Sequence, residues 1–199
     1  MNWLRLFLLL LACAMLVACG RLELTPAGKA PAKSPGSQSA EAPVRAEMRR
    51  HFAAADYVRV LQLLETQLRN GASETDFARE YPRAINGVLQ QAREHWTQGR
   101  PALAGKKYRQ ALEFYPADPL LRDQLDMGGS QIDRAVSDCS EVLMEQGLIA
   151  YRAGRLGEAI AVWQTILSFS PSHQPAIKAI RTARIQLQNL QAIDSSQDD

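Results

Sequence analysis

Beta-forming signals are nearly absent from this sequence. It has no alternating run of Val, Ile and Thr, and no Asn-Gly pair set between two such runs. Such signals mark hairpin-built sandwiches and barrels, so neither is expected here. Cysteine is scarce as well. Cys13 and Cys19 fall near the start, which leaves Cys139 alone in the rest of the chain and excludes a disulfide framework. Its neighbours, Val136-Ser137-Asp138 and Ser140-Glu141, supply no base, so Cys139 reads as a small packed residue rather than a nucleophile. His51, His95 and His173 have no partners at metal-ligand spacing. There is no Gly-rich phosphate loop and no Gly-x-Ser-x-Gly elbow, and Gly128-Gly129 reads as a break between helices. These absences point to a chain with no metal, no cofactor and no catalytic role. A surplus of one charge is missing too. The formal net charge is +2, too balanced for a nucleic-acid binder, and charges of alternating sign read as solvated helix faces.

What is present begins at the N-terminus. Arg5 precedes an uninterrupted apolar run from Leu6 to Ala18, and small residues close it at Val17-Ala18-Cys19-Gly20. Positive, apolar and small segments in that order form an export signal. The run is shorter than the about 20 residues that a spanning helix needs, so a transmembrane anchor is the weaker reading. Leu16-Val17-Ala18-Cys19 resembles the lipobox of bacterial lipoproteins. The resemblance implies a leader over residues 1–18, cleavage before Cys19, a thioether-linked diacylglycerol on Cys19, and a further acyl chain on its new amino group. One acyl chain binds membranes marginally, but each buried methylene adds about 0.8 kcal/mol, so several hold firmly. The alternative is an ordinary secretory leader whose cleavage site contains a Cys. Gly20 rather than Asp follows Cys19, which resembles the lipoproteins not retained at the inner membrane. The location implied is the periplasmic side of the outer membrane.

Between Arg21 and Pro43 the chain carries Pro26, Pro31, Pro35 and Pro43 among Gly, Ser and Lys. Such a stretch lacks the apolar content for a core, and residues 19–43 read as a lipidated Cys followed by a disordered tether. A flexible chain of that length spans roughly 25 Å. Residues 194–199 read as a disordered acidic tail. Residues 44–193 are enough for one domain with a core, and their apolar residues recur at helical spacing, as in Ala159, Ile160, Trp163, Ile166 and Leu167. Gly71, Gly99 and Gly154 mark helix ends, and Pro116 and Pro171 close two runs. The expected fold class is all-α.

A self-match at an offset of 55 relates Trp96 to Tyr151, Gly99 to Gly154, Ala104 to Ala159, Tyr108 to Trp163, Phe114 to Phe169 and Pro116 to Pro171. Each copy reads as helix, Gly-Arg turn, helix and Pro. Residues 140–173 resemble a tetratricopeptide repeat through Gly147, Gly154, Leu156, Ala159, Trp163 and Pro171. Residues 85–118 resemble it less closely. There Ala92 replaces the first Gly, Pro101 follows the turn, and Gly105 stands where Ile or Leu is usual. The resemblance implies an α-solenoid of about three helix hairpins, with a C-terminal capping helix from Ala176 to Leu190 that keeps Lys178, Arg181 and Arg184 on its wet side. Between the copies, Asp118-Pro119 caps a short helix expected to reach Leu125.

In that family the first helix of each hairpin lines a ligand groove. Carried over residue by residue, the groove comprises Leu89, Gln90, Arg93, Trp96 and Thr97 from one copy. Met144, Glu145, Leu148, Tyr151 and Arg152 come from the other. Leu89 and Met144 stand where a carboxylate-clamping subclass has its first Lys, so that subclass is not expected. The implied function is a membrane-anchored, non-catalytic scaffold or adaptor that binds another periplasmic or envelope protein. The alternative is an accessory factor for peptidoglycan or polysaccharide enzymes, or a direct glycan binder, marked by exposed stacked aromatics with carboxylate and amide partners.

Overall fold

The computed structural model describes residues 35–197, with side chains described over 42–193. The expected leader, Cys19 and the first part of the tether lie outside these residues. The chain divides into two compact units, 1–39 and 40–199. Of the first, only the opening of one helix is described.

Among the described residues the structure is helical, without strands. The helices are α1 (Pro35–Ala53), α2 (Tyr57–Arg69), α3 (Glu80–Thr97), α4 (Pro101–Glu113), α5 (Pro119–Arg122), α6 (Gly129–Arg152), α7 (Leu156–Leu167) and α8 (Gln174–Gln197), with a 3-10 turn at Glu74–Phe77 before α3. The boundaries at the two ends of the helical domain differ from the sequence expectation. Helix α1 opens at Pro35, inside the stretch read as tether. Proline needs no N–H partner at a helix start, and after Gly36 the run from Ser37 to Ala42 contains good helix formers in Gln38, Ala40, Glu41 and Ala42. Pro43 inside α1 removes one ladder hydrogen bond without ending the helix. Helix α8 likewise continues to Gln197, into the stretch read as acidic tail.

The helix ends share one device. At the end of α3 the N–H of Gly99 donates to the Trp96 carbonyl at 3.0 Å, and that of Arg100 to His95 at 2.9 Å. At the end of α6, Gly154 donates to Tyr151 at 3.0 Å and Arg155 to Ala150 at 3.0 Å. This pair of bonds satisfies orphan carbonyls only if the residue after the cap turns left-handed, and Gly99 and Gly154 do so at φ 67° and 75°. The end of α1 has the same two bonds, Ala55 to Phe52 at 3.2 Å and Asp56 to His51 at 2.9 Å. There the left-handed position holds Ala55, at φ 53°. Gln91 of α3 donates to the Ala55 carbonyl at 2.8 Å and ties that turn down.

Helices close in sequence pack on one another: α2 on α3, α3 on α4, α4 on α6, α6 on α7, and α7 on α8. Their apolar stripes meet in a core that includes Val60, Leu64, Ile85, Val88, Ala104, Ile132, Cys139, Ala159, Ile166 and Ala183. Burial pushes the Cys139 thiol up to about 12, with the charge of Asp138 adding to it. Close approach rests on glycines at three contacts, one of them Gly87 of α3, where a Cβ would stand 2.5 Å from the ring of Tyr57. A Cβ on Gly105 of α4 would stand 2.8 Å from the ring of Phe169, and one on Gly147 of α6 would stand 2.2 Å from the indole nitrogen of Trp163. Gly105, which departs from the repeat pattern, is therefore explained by the ring it admits.

The segment between the two copies has its own structure. Asp118 caps α5 by accepting from the Leu120 N–H at 2.8 Å, but α5 ends at Arg122 rather than Leu125. Helix α6 then starts at Gly129 and runs unbroken through Ser140, where the second copy begins. Gln131 accepts from the Gly128 N–H at 2.8 Å, and the Tyr115 hydroxyl accepts from Gly129 at 3.0 Å.

Candidate functional site

Helix α6 carries half of the expected groove on one side. Met144, Leu148 and Tyr151 follow a spacing of four and three residues, which stacks them along one helix face with Glu145 beside them. Across the bare backbone of Gly147 lies the Trp163 side chain of α7, whose Nε1 donates to the Met144 carbonyl at 3.1 Å. Tyr151 leans against it, with ring centroids 5.9 Å apart and planes tilted by 40°. On the opposite side α8 contributes only Ala179 and Thr182. Large side chains on two helices facing small ones on a third leave a cavity of about 530 Å³, lined by Met144, Glu145, Leu148, Tyr151, Trp163, Ala179 and Thr182. A void of this size, largely apolar with one carboxylate, has the form of a binding site.

The chemistry on offer is recognition. Glu145 is the one charged group in the lining and, among the described residues, it makes no ion pair. Leu148 is 39% exposed, so it presents an apolar surface to the cavity without being locked in the core. Among the described residues no three His, Cys, Asp or Glu side chains are placed to hold a metal ion.

The first copy is arranged differently. Leu89, expected in the groove, is fully buried in the core, because the α3 stripe of Ile85, Val88, Leu89 and Ala92 turns inward there. Arg93 is ion-paired with Asp126 at 2.8 Å, and Asn86, two turns earlier on the same face of α3, accepts from the Asp126 N–H at 2.9 Å and donates to the Gln124 carbonyl at 3.0 Å. The segment after α5 thus lies against the side of α3 that the repeat pattern would leave open. Gln90 is hydrogen-bonded to Glu94 at 3.1 Å, and the Thr97 hydroxyl donates to the Glu94 carbonyl at 3.0 Å. Trp96 stands 40% exposed at the last turn of α3, outside the cavity. Arg152 is exposed and also outside it.

The structure therefore brings together Met144, Glu145, Leu148 and Tyr151, and separates them from Leu89, Gln90, Arg93, Trp96 and Thr97. Sequence reasoning placed Trp163 in the helix packing and did not consider Ala179 or Thr182. A signal for the last two existed: they flank the buried stripe of Ala176, Ile180 and Ala183 on α8, where only small residues let a neighbouring surface stay open. Comparisons with protein-family models, with curated proteins and with solved structures return no match. The class defined is an all-helical protein with an apolar groove between three of its helices, and its function is read from these residues.

Proposed function

We propose that this chain is a lipid-anchored, non-catalytic adaptor that holds an apolar segment of another envelope protein in the groove between α6, α7 and α8. The observation that carries this reading is the gathering of Met144, Leu148 and Tyr151 around one open cavity with a single unpaired carboxylate, Glu145. Apolar side chains from a partner would fill the cavity, and a Lys or Arg beside them would meet Glu145. A filled, water-excluding centre with a charged rim is how protein interfaces obtain most of their binding energy. The anchoring half of the proposal rests on the Leu16-Val17-Ala18-Cys19 lipobox, with outer-membrane placement inferred from Gly20. No described helix is long and apolar enough to cross a membrane. The tandem hairpins α3/α4 and α6/α7, closed by α8, support a solenoid of tetratricopeptide type. Direct glycan binding is the poorer reading, because Trp163 is buried and Trp96 lies outside the cavity, so Tyr151 is the one partly exposed ring in the lining and no exposed stack of aromatics forms there.

The test has two arms. In intact cells, a photo-crosslinker placed at Leu148 should join the chain to a discrete partner, and Tyr151→Ala or Glu145→Lys should reduce that product. The same crosslinker at Lys106, exposed on α4, should not give it; equal yields from both positions would remove the groove from the proposal. Separately, Cys19→Ser should abolish acyl labelling and release the protein from the membrane fraction. A fully cleaved Cys19→Ser chain that still partitions with membranes refutes the lipid anchor.

A further inference from the structure

We propose a second site, a phosphate-binding pocket between α1 and the start of α3, built by Arg49, Arg79 and Arg83 with Arg45 behind them. The cavity measures about 220 Å³ and is lined by Arg45, Met48, Arg49, Phe52, Arg79, Glu80 and Arg83. The arginines come as two pairs, Arg45/Arg49 on α1 and Arg79/Arg83 at the start of α3. Each pair is spaced by one helical turn, so each projects from one side of its helix.

Charge balance is the first argument. Four guanidinium groups meet one carboxylate, Glu80, and Arg45 already pairs with it. Among the described residues Arg49, Arg79 and Arg83 make no ion pair. Like charges one turn apart destabilise a helix, and Arg79 and Arg83 are such a pair, neither of them in an ion pair. An anion beside them relieves it.

Preorganisation is the second. The Arg83 guanidinium lies 4.2 Å from the centre of the Phe52 ring, and Arg45 lies 5.0 Å from that of Phe77. Arg45 also donates to the Asp76 carbonyl at 2.8 Å. Two of the four forks thus rest against rings before any ligand arrives, and Arg49 and Arg79, exposed like Arg83, stand at the rim. Fixed planar forks with mobile ones beside them suit the several oxygens of a phosphate, which guanidinium binds through paired N–H donors. The pocket also opens at the positive end of the α3 dipole. Arg79 occupies the cap position there and makes no side-chain capping bond, and Glu80, the one acidic residue of that first turn, is paired with Arg45. The size admits a phosphate group with its water but not a folded partner. This site is independent of the groove between α6, α7 and α8.

The phosphate has two possible sources, an anionic lipid headgroup and a soluble phosphorylated molecule, and hydrogen exchange on the full chain separates them. In one arm the detergent-purified chain is titrated with inorganic pyrophosphate against sodium chloride of matched ionic strength. In the other it is reconstituted in phosphatidylcholine nanodiscs with and without phosphatidylglycerol. Peptides covering residues 45–52 and 79–83 should become protected. Protection by pyrophosphate assigns a soluble source, and protection by phosphatidylglycerol alone assigns the headgroup. The pair Arg49→Gln, Arg79→Gln should weaken protection at least about tenfold, the scale of losing a charged donor. Both residues are exposed and unpaired, so exchange in α6 and α7 should not change; Arg49→Gln alone serves if it does. Arg109→Gln with Arg134→Gln, exposed arginines away from the pocket, should leave protection intact. No protection in either arm, or an equal loss from the control pair, overturns the site.

Discussion

Gly147→Ala sets two effects against each other, and the structure says which wins. Glycine in a helix interior is about 1 kcal/mol less favourable than alanine, so the change should stabilise α6 on propensity alone. The added Cβ would, however, stand 2.2 Å from Trp163 Nε1 and 2.6 Å from its ring carbons. Trp163 is buried and its ring is hemmed in by Tyr151, so it cannot move aside cheaply. Overpacking of this kind costs about 1–3 kcal/mol, and the bond from Nε1 to the Met144 carbonyl, worth about 1 kcal/mol, is lost with it. The net expectation is a destabilisation of about 1–3 kcal/mol, or a melting temperature lower by about 2–12 °C. Far-UV circular dichroism on heating measures it. Gly157→Ala on α7 supplies the comparison, since nothing lies within 4 Å of the Cβ it would add; it should be neutral or stabilising by up to about 1 kcal/mol. Combining Gly147→Ala with Trp163→Phe, which shortens the ring and removes Nε1, should recover part of the loss as a coupling between the two sites. If Gly147→Ala is as stable as Gly157→Ala, the close approach of α6 and α7 is wrong and the wall of the groove is wrong with it.

Two further outcomes follow from the same geometry. Ala55→Gly should stabilise the chain by about 1 kcal/mol, because a left-handed alanine carries a penalty of about 1–2 kcal/mol that glycine escapes while losing more chain entropy; denaturant midpoints read this, and an unchanged or lower midpoint refutes the turn geometry. At alkaline pH, Cys139 and Tyr81 should make the fold pH-sensitive, both being raised to about 12, chiefly by burial, from ordinary values of 9.0 and 10.0. Each group holds its proton more tightly folded than unfolded, so its contribution is intact below the ordinary value and is lost as pH rises toward about 12, by at most about 1.4 kcal/mol per pH unit per group. Cys139→Ala should flatten the part of that slope that begins near pH 9, and an unaltered slope would show that the thiol ionises as readily in the folded chain.

Much of the fold was legible in the chain itself. Periodicity marked helices, Gly99 and Gly154 marked their ends, and the self-match at 55 paired Ala104 with Ala159 and Tyr108 with Trp163, all four of which are buried. These are local signals: a left-handed cap or an apolar stripe is decided by a few consecutive residues. The left-handed conformation at Ala55 escaped because alanine does not announce it, and the opening turns of α1 escaped because a stretch carrying Pro35 and Pro43 reads as tether. The groove was only half legible. Met144, Glu145, Leu148 and Tyr151 share a helix face, so their grouping follows from spacing along one element. Their separation from Arg93 and Trp96 depends on the segment after α5, whose Asp126 binds Arg93 and Asn86. The other wall, Ala179 and Thr182, comes from a helix about thirty residues further on. Spacing fixes which residues share a face; what covers that face is a long-range choice, made by whichever segment buries the most apolar area and satisfies the most hydrogen bonds there. That choice, and the meeting of four arginines from α1 and α3, was made only by the tertiary structure.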